Sequence, residues 1–243
     1  MNIKINEVAG ILADKSCSSM LMLLMDGKFH TVTELAKTAN IKNHTATYHI
    51  KKFINLEWLE IYIQGRNHYY RLSNKSVAEL IEQWLPISQF QTARSLNTNI
   101  ENKILFNGRF CYDHLAGKLG VEITKWYIKN EFFKISESEI EITDKGINFF
   151  EKFGIEIDNL RKLKRHFCKV CMDWSEREYH IAGSIGKATA EFLLNNKWVE
   201  RHGKSRGVRL TELGEEQIIK LWNGGEIIEN YKKQLKKLHK IAE

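Results

Sequence analysis

Apolar positions recur at helical spacing through the first eighty residues and then switch to alternation. Val8, Ile11 and Leu12 fall on one face of an opening helix. Cys17 to Met25 is strongly apolar and predicts a buried helix, ended at Asp26-Gly27-Lys28 where Gly27 supplies a left-handed stop. Thr31-Val32-Thr33-Glu34 has the spacing of a capping box and predicts a short helix from Glu34 to Thr38. A further helix is expected from Asn43 to Leu56, with Ala46, Ile50 and Phe53 inward and His44, Thr45, Thr47, Tyr48, Lys51 and Lys52 outward. Leu59 to Ile63 and His68 to Leu72 alternate on either side of Gln64-Gly65-Arg66-Asn67, the signature of a β-hairpin. A helix from Val77 to Leu85 closes the unit, Pro86 marks its exit, and the polar run Gln89–Thr98 reads as a linker.

The remainder contains an internal repeat. His114-Leu115-Ala116-Gly117-Lys118-Leu119-Gly120 returns as His180-Ile181-Ala182-Gly183-Ser184-Ile185-Gly186, and Ile142-Thr143-Asp144-Lys145-Gly146 as Leu210-Thr211-Glu212-Leu213-Gly214. Each copy reads as two short helices, a hairpin and a Thr-capped helix, which implies a duplicated small module and not a solenoid. From Glu226 a separate amphipathic helix is expected behind a Gly224-Gly225 hinge, with Ile228, Tyr231, Leu235, Leu238 and Ala242 as its stripe. The expected domains are therefore residues 1–92, 99–160, 161–225 and 226–243.

The net charge of +7 permits a nucleic-acid partner without requiring one. Its placement is more informative. On the Asn43 helix, short polar side chains at His44, Thr45, Thr47 and Tyr48 precede Lys51 and Lys52, a division suited to base edges and phosphates. Arg66, His68 and Arg71 surround the hairpin turn, where a basic tip suits the backbone or the minor groove. Either feature alone is an ordinary exposed face or an ordinary hairpin; together they point to double-stranded DNA. A protein-docking module is the competing reading, although a docking helix would more often expose aromatics or leucines. No phosphate-cradling glycine loop, nucleophile elbow or His-Glu-x-x-His occurs, so no enzyme is expected.

Residues 8–85 resemble an ArsR-type winged helix-turn-helix regulator. The likeness rests on Ile11-Leu12-Ala13-Asp14, Met22-Leu23-Leu24, Thr33-Glu34-Leu35-Ala36, Thr45-Ala46-Thr47-Tyr48-His49-Ile50-Lys51-Lys52 and Gly65-Arg66-Asn67-His68-Tyr69-Tyr70-Arg71-Leu72. The resemblance implies a mainly α fold with small hairpins and operator binding, usually as a repressor, by the helix that starts at Asn43, with Asn43 and His49 expected among its DNA-contacting residues. It also implies a homodimer built on the first and fifth helices (Val8, Ile11 and Leu12; Val77, Leu80, Ile81 and Trp84). The rest of the chain is similar to a long extension carried by a subset of such regulators, expected here as two winged-helix-like modules and a terminal helix that bind a small-molecule effector or brace the dimer. Lys42 stands where the family usually places a serine cap. The thiol pair and histidines of its familiar metal sites are missing from Thr33–Lys37 and Val77–Leu85.

Neither module offers a strong reading helix: Thr124-Lys125-Trp126-Tyr127 and Ala188-Thr189-Ala190-Glu191 have few base-reading groups, although Arg201, Lys204, Arg206 and Arg209 decorate the last hairpin. Tyr112, Trp126, Trp174, Trp198 and Trp222 are candidates for a pocket lining, with core packing as the default. Four cysteines, no apolar leader after Met1-Asn2-Ile3-Lys4 and no window near the roughly 18 apolar residues of a membrane span point to a reducing cytoplasm. Cys168-Lys169-Val170-Cys171, taken with Cys111, His114, His166, Asp173 and His180, would gather if the two copies pack face to face. Cys111, Cys168, Cys171 and His180 are the candidate ligands, and thiolate-rich donors would take zinc. The competing readings are a redox-sensing thiol and plain core cysteine, with Cys168 and Cys171 on one helical face and His114 and His180 as packing or cap residues.

Overall fold

A computed structural model describes residues 5–85, 103–136, 139–203 and 205–240, with backbone alone over 234–240. The linker expected over Gln89–Thr98, Pro86, Lys204 and Ala242 lie outside the described residues, as do the side chains of Leu235 and Leu238. The chain divides into two compact units, Met1–Ile81 and Glu82–Glu243.

In the first unit, helix α1 (Ile5–Ala13) leads into α2 (Lys15–Leu24), which starts two residues before the expected Cys17 because the Asp14 carboxylate caps it, accepting from the Cys17 N–H at 2.8 Å. Gly27 takes the expected positive φ of 70°. Strand β1 (His30–Thr31) follows, which the pattern of apolar positions did not foretell, being only two residues long. Thr31 and Glu34 form the reciprocal capping box that starts α3 (Val32–Ala39): Glu34 N–H donates to Thr31 Oγ1 at 3.2 Å and Thr31 N–H to Glu34 Oε2 at 3.0 Å. Asn40, in the left-handed region at φ 53°, closes that helix. Helix α4 (Asn43–Asn55) turns Ala46, Ile50 and Phe53 inward, as expected. Strands β2 (Leu59–Gln64) and β3 (Asn67–Leu72) pair in register Leu59↔Leu72 to Gln64↔Asn67, and β1 joins the other side of β3 in a sheet ordered β1-β3-β2. Helix α5 (Lys75–Trp84) completes the winged helix-turn-helix order. Met20, Leu21, Leu24, Leu35, Ile50, Phe53 and Leu72 form the core, where Phe53 and Trp58 stack at 5.9 Å.

The second unit corrects one expectation. The stretches before its two long helices are hairpins and not helices. Strands β4 (Arg109–Cys111) and β5 (His114–Ala116) run straight into α6 (Gly117–Lys129), and β8 (Lys169–Met172) and β9 (Tyr179–Ala182) straight into α9 (Gly183–Asn195). A two-stranded ladder stands each time where a first short helix was expected. Glycines make the junction. Gly117 and Gly183 sit at φ 72° and 86°, and a Cβ at Gly120 or Gly186 would lie 2.4 or 2.5 Å from the carbonyl oxygen of Leu115 or Ile181, so each helix presses directly on its own strand. Each helix is followed by another hairpin, β6 (Phe133–Ser136) with β7 (Glu139–Ile142) and β10 (Val199–Arg201) with β11 (Val208–Leu210). Then come Thr-capped α7 (Asp144–Lys152), the five-residue α8 (Ile157–Arg161) after it, and Thr-capped α10 (Glu212–Trp222). Both halves thus share one element order.

The last helix, α11 (Gly225–Lys240), does not stand apart: Ile227, Ile228 and Tyr231 are buried in the common core, and Asn230 donates to Glu122 of α6 at 2.7 Å. The candidate pocket aromatics are mostly core. Trp126 stacks on Trp222 at 5.6 Å, Trp198 lies 5.4 Å from Trp222, and Trp174 sits under the Arg109 guanidinium at 4.1 Å. Tyr112 is half-buried. No described helix is long and apolar enough to cross a membrane.

Candidate nucleic-acid interface

Helix α4 presents its polar face along the expected line. His44, Tyr48 and Lys51 are exposed and Thr45, Thr47 and Lys52 half-exposed. Lys42 occupies the cap position without a side-chain bond, so the first turn is held differently: Asn43 Nδ2 donates to Thr33 Oγ1 at 3.1 Å, tying the start of α4 to that of α3. Thr47 Oγ1 donates back to the Asn43 carbonyl at 2.8 Å, which fixes its rotamer. Lys52 Nζ rests 4.5 Å above the Tyr48 ring.

His49 does not belong to that face. It is buried, and its Nδ1 lies 3.0 Å from Cys17 Sγ on α2. Positions 46, 49, 50 and 53 make one continuous inward stripe, which takes His49 out of any groove. Burial pushes the Cys17 thiol up to about 12, so it remains a neutral thiol against the ring.

In the hairpin a two-residue turn, Gly65-Arg66, joins β2 to β3, with Gly65 at φ 60°. Arg66 and His68 project at its tip, both exposed. Arg71, further from the tip, pairs with Glu60 at 2.5 Å on the exposed side of the ladder and lies 4.6 Å over the Phe29 ring. Of the predicted DNA-contacting side chains, His44, Thr45, Thr47, Tyr48, Lys51 and Lys52 share the outer face of α4, and Arg66 and His68 lie at the turn.

The corresponding helices of the second unit, expected to offer few base-reading groups, turn most of those residues inward. Thr124, Trp126 and Tyr127 of α6, and Thr189 and Ala190 of α9, are buried; Thr124 Oγ1 accepts from the Ile181 N–H at 2.9 Å. On the last hairpin Arg206 is buried, Arg209 pairs with Glu200 and Arg201 lies 4.1 Å over the Phe110 ring, so these three arginines are each engaged within the unit.

Of the candidate ligands, Cys111, Cys171 and His180 come together and Cys168 does not. Cys168 precedes a strand, not a helix, so no shared helical face brings it beside Cys171; it is half-buried, and burial pushes its thiol up to about 12. His114 takes its place. One rung of each hairpin supplies a cysteine and a histidine, Cys111↔His114 and Cys171↔His180. The four donor atoms lie within 4.8 Å of one another. Cys111 Sγ and Cys171 Sγ are 3.9 Å apart, too far for a disulfide, and the two histidine Nε2 atoms are 3.2 Å apart.

Each histidine turns its other nitrogen to an aspartate: His114 Nδ1 lies 3.3 Å from Asp113 Oδ1, and His180 Nδ1 3.2 Å from Asp173 Oδ2. Asp113 is gripped by Arg165 at 2.6 Å. Asp173 is fully buried and accepts from Arg109 at 2.9 Å, Gly117 N–H at 2.6 Å and Ser175 Oγ at 2.7 Å. Burial alone would raise both carboxyls, but these partners hold each well below the usual carboxylate range. The hydrogen bond from Cys111, against the effect of burial and aided by the two histidines, holds the Cys171 thiol far below its ordinary value. Burial would lower His180, and the bonds to Asp173 and Cys171 outweigh it, raising it to about 9. His166 stays outside the cluster; its carbonyl accepts from the Ser184 N–H at 3.0 Å.

No family model matches the chain. An uncharacterized HTH-type transcriptional regulator, YdfF, of Bacillus subtilis (strain 168) is 39% identical over 214 residues, 88% of this chain and 95% of that protein. Solved structures overlap about a third of the chain. HlyU from Vibrio cholerae N16961 is 18% identical over 35% of this chain and 90% of its own, at a TM-score of 0.32. The homodimeric winged helix-turn-helix DNA-binding domain of Mb0332 from Mycobacterium bovis, a possible ArsR-family transcriptional regulator, is 21% identical over 37% and 88%, at 0.30.

Proposed function

Because this chain belongs to the HTH-type transcriptional regulators, of the winged, ArsR-like sort read from residues 8–85, we propose that it is a repressor that binds double-stranded DNA as a homodimer. It acts as a regulator and not as an enzyme. The observation that supports the DNA contact is the pairing, within one unit, of an exposed polar face on α4 with the Gly65-Arg66 turn. Helix α4 would lie in the major groove with His44, Thr45 and Thr47 toward base edges and Lys51 and Lys52 toward phosphates, while Arg66 reaches the flanking backbone. Of the positions expected to build the dimer, Ile11, Val77 and Ile81 are buried within the chain, so the homodimer rests on the family likeness and not on an exposed apolar face. A dimer so built would read two half-sites about 34–36 Å apart, hence a partly palindromic operator. The second unit, which we read as a duplicated module, would brace the dimer or carry its response to a small-molecule effector.

The test is selection of genomic fragments by the purified full chain, with its mass in solution measured alongside. Enrichment of a fragment with inverted half-sites, bound by a dimer, is expected. A folded chain with no affinity for any duplex at low ionic strength would overturn the reading. Gene expression from the selected promoter, with and without the protein, decides repression.

A further inference from the structure

We propose that the second unit holds one tetrahedral, zinc-class divalent ion on Cys111, His114, Cys171 and His180. The site lies wholly within the second unit, so this inference does not depend on the DNA-binding reading.

The spacing fits such an ion. Zinc bonds of about 2.3 Å to sulfur and about 2.0–2.1 Å to nitrogen put tetrahedral sulfurs about 3.8 Å apart and nitrogens about 3.3 Å apart. The sulfurs here are 3.9 Å apart and the Nε2 atoms 3.2 Å. The two Nε2 atoms face one another, while each Nδ1 lies beside an aspartate, 3.3 Å from Asp113 and 3.2 Å from Asp173. A carboxylate behind each imidazole is the usual support of a metal-bound histidine.

The buried charges then cancel. Two thiolates match a divalent ion, and Asp113 and Asp173 match Arg165 and Arg109. Soft sulfur with imidazole selects zinc-like ions over magnesium or calcium. All four positions come from protein, the pattern of a structural ion that joins the β4-β5 hairpin to the β8-β9 hairpin.

The full chain, purified without chelator, is analysed for metal. It is also stripped, reduced and titrated with Co(II). About one zinc per chain is expected as purified, and about one Co(II) with the visible bands of a tetrahedral thiolate site. Cys171→Ser and His180→Ala should lose this binding at least tenfold. Cys168→Ser and Cys17→Ser should retain both the stoichiometry and the spectrum, which keeps the test decisive if the ligand variants fail to fold. Three results would overturn the proposal: a folded wild-type chain that neither carries zinc nor develops the cobalt spectrum, loss of binding in Cys168→Ser equal to that in Cys171→Ser, or a metal-free chain whose Cys111 and Cys171 are recovered as a disulfide. Metal content is read without DNA, so this outcome is separate from that of the operator selection.

Discussion

Cys17 Sγ and His49 Nδ1 meet 3.0 Å apart in the core of the first unit, fastening α2 to the inner side of α4. His49 therefore positions the polar face without touching what that face binds. His49→Ala should cost about 1–3 kcal/mol of stability through the lost bond and the space left behind. Denaturant unfolding measures this. The salt dependence of DNA binding by the folded variant should match the wild type; a smaller slope would place His49 at the interface after all.

Exposed positions sort differently. Lys51→Ala and Arg66→Ala should weaken binding to specific and random duplex alike and lower the salt slope by roughly 1 each. Thr47→Ala and His44→Ala should mainly reduce preference for the selected site, by about 1–3 kcal/mol. Titrations of both duplexes at several salt concentrations decide it, and equal losses on both sequences from all four variants would contradict the sorting.

Thiol chemistry offers a third measurement. The Cys17 and Cys168 thiols are pushed by burial to about 12, and only the thiolate attacks an alkylating reagent. In the folded chain at pH 8 both should react slowly, with rates climbing about tenfold per pH unit, and rapidly once denaturant restores an ordinary value of about 8.5. The sign for stability follows. These groups hold their proton more tightly in the fold, so their contribution is intact below about pH 8.5 and is lost as pH rises toward 12. Mass spectrometry of labelled peptides reads the rates. Fast labelling of either residue in the native chain at pH 8 would refute the burial effect.

The Arg109–Asp173 pair has no solvent to fall back on, both side chains being fully buried. Removing Asp173 leaves Arg109 charged without its buried carboxylate, and removing Arg109 takes away the guanidinium on Asp173, so Arg109→Ala or Asp173→Ala should each cost roughly 3–5 kcal/mol. Replacing both with apolar residues should cost well below the two single effects combined. Calorimetry of the three variants tests this; additive losses would mean the pair acts as two independent groups.

Local events were the most legible in the sequence. The Thr31–Glu34 capping box closes within four residues and the Gly65 turn within two, so each declares itself without tertiary help. His49 was misplaced although its own signal was present: 46, 49, 50 and 53 follow the inward period of a helix, and a polar side chain on that line belongs to the core stripe. The hairpins before α6 and α9 were read as helices because three or four residues are too few for a period of two to show. The buried cluster was half visible. From sequence, Cys111, Cys171, His114 and His180 gather only on the condition that the two copies pack face to face, and strand register, which puts Cys171 on the rung of His180 and leaves Cys168 off it, is not written in spacing alone.

The reciprocal grip of Arg109 on Asp173 and Arg165 on Asp113 spans 64 and 52 positions of sequence. Neither half of the second unit is therefore a removable piece. A chain cut near residue 160 would expose on each fragment an ionised group whose counter-charge left with the other, together with an unfinished aromatic core. Loop closures of this length also come late in folding. Truncation should therefore remove the whole of this unit at once, and never half of it.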